Sequence, residues 1–194
     1  MKENQKAKKR DEQFVLLVKF ENNENFENDG FKKINPEIKG QQELKKVLKA
    51  MGVWFYIMES EFYDTVTVEL DAEPLQVIKQ FRQTPTVAIK SIVPLDSVVS
   101  SSSDDLITAI RKLASVKIDK KESFTVRLCS NGEKFEGMSG IKSPDKLTHG
   151  ISHELCDGLS LQYHDENTDW IIQIEELGED KGIAICRPDE ILMK

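Results

Sequence analysis

The chain has 194 residues, 39% hydrophobic and 31% charged, with a formal net charge of −7. That length fits one large or two small domains able to bury a core. The acidic balance argues against broad nonspecific nucleic-acid binding, so any RNA site must be a local basic patch. The balance is uneven, with 15 basic and 16 acidic residues in 1–96 but 12 and 18 in 97–194.

No apolar run approaches the length of a transmembrane helix. The run after the N-terminal lysines, Phe14 to Val18, is too short for a secretory signal. Cys129, Cys156 and Cys186 are widely spaced with no CxxC pair, which fits a reduced, cytoplasmic compartment.

Residues 1–12 read as a disordered basic tail; an arm touching RNA phosphate is the alternative. Phe14–Phe20 is an expected strand with both faces buried. Glu21 to Gly40, rich in Asn, Glu and Lys with Pro36, reads as an irregular loop. A helix over Gln41–Met51 follows from Leu44, Val47, Leu48 and Met51 at core spacing, with Gly52 as its stop. Trp54–Glu59 and Thr65–Leu70 read as two strands. Asp71 can cap the next helix, which has Pro74 in its first turn and ends at Thr84-Pro85. Thr86–Val93 is a further strand. The order β-α-β-β-α-β is ferredoxin-like, with two helices on one face of an antiparallel sheet. This gives a domain over 13–96.

The serine-rich segment 97–103 reads as a linker. It leads to a second unit over 104–194, opened by a Ser103-capped helix over Asp104–Ser115. Phe124–Cys129 alternates as a strand, and Asn131-Gly132 marks a turn-rich loop. Ser143-Pro144 announces another helix. Trp170–Glu175 and Gly182–Cys186 close the chain as strands joined through Gly178–Lys181.

The Ser143 helix holds the best candidate surface. At ~100° per residue, Leu147, Ile151 and Leu155 fall on one side and Lys146, His149 and His153 on the other. Gly150 lowers that polar face and Lys142 precedes it, which suits a phosphate backbone; an ordinary solvated face is the alternative. Arg127 points away from Val126 and Leu128, with Thr125 and Cys129. It is a further RNA candidate or a structural ion-pair partner. Lys134 and Lys181, in expected turns, complete the set. His149, His153 and Cys156 lie within ~60° on the helix and could ligate one metal ion, although the spacing is not HExxH and no fourth ligand is evident. Asp165, Asn167 and Asp169 read as turn chemistry. There is no Walker loop, no Gly-rich nucleotide turn after a strand and no GxSxG elbow.

The succession "SFTVRL", "SPDKLTHGISHEL" and "NTDWIIQIEEL…GIAICRP" resembles the THUMP domain of tRNA-modifying enzymes. The departures are Leu-Cys-Ser-Asn where basic residues usually follow Arg127, and Thr168 in place of a proline. The resemblance implies an α+β chain: a ferredoxin-like domain, then a THUMP domain. THUMP enzymes append a catalytic domain, whereas this sequence ends at Lys194, shortly after Arg187. That pattern is similar to the tRNA acetyltransferase adaptor family. It implies a non-catalytic protein without a cofactor, which presents tRNA to a separate RNA cytidine acetyltransferase or other tRNA-modifying enzyme. Two rivals stay open: a metal-dependent enzyme using His149, His153 and Cys156, and a protein-interaction module that has lost RNA binding.

Overall fold

The computed structural model describes residues 13–21, 36–62, 64–100, 103–129 and 144–194. Strand β1 (Phe14–Phe20) leads to helix α1 (Pro36–Met51), strands β2 (Phe55–Glu59) and β3 (Thr65–Leu70), helix α2 (Pro74–Gln83) and strand β4 (Ile89–Leu95). Then come β5 (Ser97–Ser100), α3 (Ser103–Lys117), β6 (Ser123–Cys129), α4 (Pro144–Leu159) and β7 (Gln162–Tyr163). Strands β8 (Trp170–Leu177) and β9 (Asp180–Cys186), a 3-10 turn (Pro188–Glu190) and β10 (Leu192–Met193) complete the order.

Two five-stranded sheets result, ordered β10-β4-β1-β3-β2 and β5-β9-β8-β6-β7. All neighbours in the first are antiparallel. In the second, β6 runs parallel to β7 and β8, whereas β5–β9 and β8–β9 are antiparallel.

Alternation along β1 fixes the layering. Leu16, Val18 and Phe20 face α1 and α2, packing with Leu44, Leu48, Val77, Ile78 and Phe81. Leu17 faces the other way and joins Val93, Leu95, Ile171, Ala184 and Cys186 in a core between the sheets. On the far side of the second sheet, Ile172, Ile174, Ile183 and Ile185 pack under α3 and α4. The layers are therefore helices, sheet, sheet, helices.

A buried ion pair crosses the middle of this stack. Lys19 Nζ of β1 lies 2.7 Å from Glu175 Oε2 of β8, and Gln173 Nε2 donates to the other Glu175 oxygen at 2.5 Å.

Four local outcomes differ from the sequence expectations. Helix α1 starts at Pro36, so Gly40 lies inside it; a Cβ there would run into the Phe20 ring, and glycine permits the close approach. Asp71 does not cap α2: its Oδ1 accepts the Trp54 N–H at 3.0 Å, and the N-cap residue is Glu73, without a side-chain capping bond. Within the expected linker 97–103, Ser97–Ser100 form β5, paired to β9. The chain then returns to the first sheet, where β10 pairs with β4 at Leu192↔Ile92 and Met193↔Ser91.

Candidate nucleic-acid interface

Helix α4 seats its apolar side as the periodicity requires. Leu147, Ile151 and Leu155 are each 1% exposed and pack against the second sheet. Lys146, His149 and His153 are exposed on the opposite side, and nothing lies within 4 Å of a Cβ built at Gly150. The two histidine rings stack with centroids 6.5 Å apart, and His153 Nδ1 is 3.3 Å from Asp157 Oδ2. The polar face is therefore real, but it is not strongly basic. Asp145, Glu154 and Asp157 share the helix, and Glu154 already binds Arg111 of α3 at 3.0 Å.

The other sequence candidates do not join this strip. Arg127 is exposed on β6, on the opposite face of the sheet from α4 because Val126 and Leu128 turn toward the helices. In register it lies beside Gln173. Lys181 corrects the expectation of a surface turn lysine. It is 3% exposed, stands on β9 opposite Glu176 at 3.7 Å, and bonds the Gly178 carbonyl at 3.4 Å. The loop shrinks to a two-residue hairpin, Gly178-Glu179, with Gly178 at φ +70. That draws Asp180 and Lys181 into the strand and buries the Lys181 side chain. Lys134 and Lys142 lie outside the described residues.

The metal constellation does not assemble among the described residues, where no group of three His, Cys, Asp or Glu side chains is placed to hold an ion. His149 and His153 face solvent, whereas Cys156 packs at the margin of the α3–α4 core. The small angular spread around the helix still divides at the boundary between core and solvent. Burial also pushes the Cys129 thiol up to about 11, with the Glu175 charge adding to it, and the Cys186 thiol up to about 12. Neither is a reactive thiolate at neutral pH.

A cluster missed from sequence lies where β6, β8 and the end of β9 meet. Glu122 accepts bonds from Arg187 Nη2 at 2.7 Å and Trp170 Nε1 at 2.8 Å. The Arg187 guanidinium sits over the Trp170 ring, 4.5 Å from its centroid. Arg187, Trp170 and the Asp119 N–H together hold the Glu122 carboxyl at about 2. Beside it, Asp169 accepts the Ser123 N–H at 2.8 Å and its hydroxyl at 2.9 Å, which lowers the Asp169 carboxyl as well. The signal was the hairpin register: Ile171↔Cys186 places Trp170 beside Arg187 once the short turn is known. The reading of Asp165, Asn167 and Asp169 as local turn chemistry holds only for Asn167, whose φ is 54; Asp165 accepts the Tyr163 hydroxyl at 2.9 Å, and Asp169 reaches across to Ser123.

No protein-family model matches the sequence, and no curated protein matches it. Solved structures do match. PH1313 from Pyrococcus horikoshii aligns with a TM-score of 0.65 and 14% identity, over 93% of this chain and 55% of that one. A 4-thiouridine synthetase solved with RNA and ATP aligns at TM-score 0.55 and 12% identity, over 91% of this chain and 42% of that one. TrmN from Thermus thermophilus aligns at 0.52 and 11%, over 92% and 47%. The chain spans about half the length of these proteins and shares the fold of that part.

Proposed function

We propose that this chain is a non-catalytic tRNA-binding adaptor: a ferredoxin-like lobe and a THUMP lobe that together position tRNA for a separate RNA cytidine acetyltransferase in the cytoplasm. The observation that carries the RNA-binding part is the shared fold, over 91% of the chain, with part of a 4-thiouridine synthetase solved in complex with RNA. The strand order β4-β1-β3-β2, antiparallel throughout with α1 and α2 on one face, supports the ferredoxin-like assignment. The sequence resemblance over β6, α4, β8 and β9 supports the THUMP assignment. The exposed strip Lys146, His149 and His153 is a proposed RNA surface, and Arg127 a separate one on the other face.

Positioning is the mechanism that fits. Phosphate contacts fix the register of an RNA without reading its bases, and RNA is recognised largely through shape and backbone. A second reading is favoured by one observation, the roughly half-length coverage of each matched structure: the same fold would be the RNA-gripping part of a larger modifying enzyme. The test is reconstitution. Purified chain should bind tRNA yet neither bind acetyl-CoA nor acetylate tRNA alone, and it should raise acetylation by an added RNA cytidine acetyltransferase. Turnover by the isolated chain sinks the adaptor role.

A further inference from the structure

We infer that the outer face of α1 and α2 is a second phosphate-binding surface, more strongly basic than α4, on which the RNA backbone lies; this rests on the RNA-binding reading above. The argument is electrostatic. Within a chain of net charge −7, α1 and α2 carry six cations against two carboxylates, Glu37 and Glu43. Helices α3 and α4 together carry four cations against five carboxylates. Helix α2 has no carboxylate at all. Glu43 is turned to local use, accepting the Val87 N–H at 3.1 Å and the Ala88 N–H at 3.1 Å.

Geometry puts the cations where a backbone can reach them. Lys45, Lys46, Lys49 and Lys79 are all exposed. On α1, Lys45, Lys46 and Lys49 span about 100° of the helix circumference, opposite the buried Leu44, Val47 and Leu48. Both helices cover one face of the first sheet, so Lys79 belongs to the same layer. Among the described residues, none of these four ammonium groups is in an ion pair. Two of the four cations of the other helical layer are already paired: Arg111 with Glu154 and Lys117 with Asp96. An unneutralised cation releases counterions when it meets phosphate, whereas a paired one must first break its pair.

The opposite face of the first sheet is packed against the second sheet, and the opening left between them is acidic. The lining of this cleft, of about 370 Å³, includes four carboxylates, Glu59, Glu61, Glu69 and Asp180, and, among the described residues, no cation. A polyanion approaching the first lobe is repelled there and drawn to the helical side.

The test uses the full chain and unfractionated tRNA, with affinity measured across a salt series. The triple variant Lys45→Gln, Lys49→Gln, Lys79→Gln should melt like wild type. Its log–log salt slope should be shallower by about 0.7–0.9 for each phosphate left unneutralised, and its affinity at 0.1 M salt lower by roughly five- to eightfold per phosphate. The matching Lys→Arg triple variant should bind like wild type, because charge rather than shape is used. If wild type binds tRNA and the Gln variant binds with the same affinity and slope, this surface is wrong while the RNA-binding reading stands. If wild type binds no tRNA at any salt, both fall.

Discussion

Single side chains set the tolerances of this molecule. Gly40 sits in the second turn of α1, where its lack of a Cβ lets the helix press onto Phe20. Gly40→Ala should therefore destabilise by about 1–3 kcal/mol through overpacking, in spite of alanine's better helix propensity, as read by urea unfolding. Gly150→Ala, on the open face of α4, is the contrast and should stabilise slightly. Glu122 sets an acid limit. Its carboxyl is held at about 2 in the folded chain against a usual 4.5, so the unfolded chain binds that proton more readily. The stabilisation is present above about pH 4.5 and is lost as pH falls toward 2. Thermal melts of Glu122→Gln and wild type should differ at pH 7 and converge between pH 4.5 and 2. A constant gap across that range would mean that the Arg187 and Trp170 bonds do not depend on the charge.

At the scale of elements, periodicity located the four described α-helices and the long strands, because a half-buried face leaves a regular apolar stripe in the sequence. What it missed was local chemistry overruled by residues distant in sequence. Pro36 and Gly40 read as loop punctuation, yet Pro36 opens α1 and Gly40 answers to Phe20. Strands β5, β7 and β10, four residues or fewer each, are too short to show alternation and exist because neighbours pair with them. In α4 the apolar stripe was legible and the charge balance was not, since Arg111 reaches Glu154 from another helix. Ile151→Ala should cost about 2–5 kcal/mol by opening a cavity under α4. Lys146→Ala and His149→Ala should leave the melting temperature unchanged. If they also leave tRNA affinity and salt slope unchanged, α4 is an ordinary solvated face.

Across the whole molecule, the sheets share one interior. Lys19 and Glu175 come from different sheets, and their side chains are only 14% and 1% exposed. Lys19→Met should cost about 3–5 kcal/mol by leaving a buried carboxylate without its counter-charge, and adding Glu175→Leu should recover most of it. With that pair, the inter-sheet core and β10 all spanning the halves, urea unfolding should show one cooperative transition, and limited proteolysis should leave Ser97–Ser100 intact. Two separated transitions would mean that the lobes fold independently. The return of β10 also bears on biosynthesis. As the chain leaves the ribosome, β4 emerges long before β10, the strand that covers its outer flank. Until then its N–H and C=O groups on that flank stand open to pairing with other chains. A nascent chain halted at Cys186 would hold all four described α-helices and still lack the cover on β4, so the first lobe begins folding early and is completed only once β10 has been made.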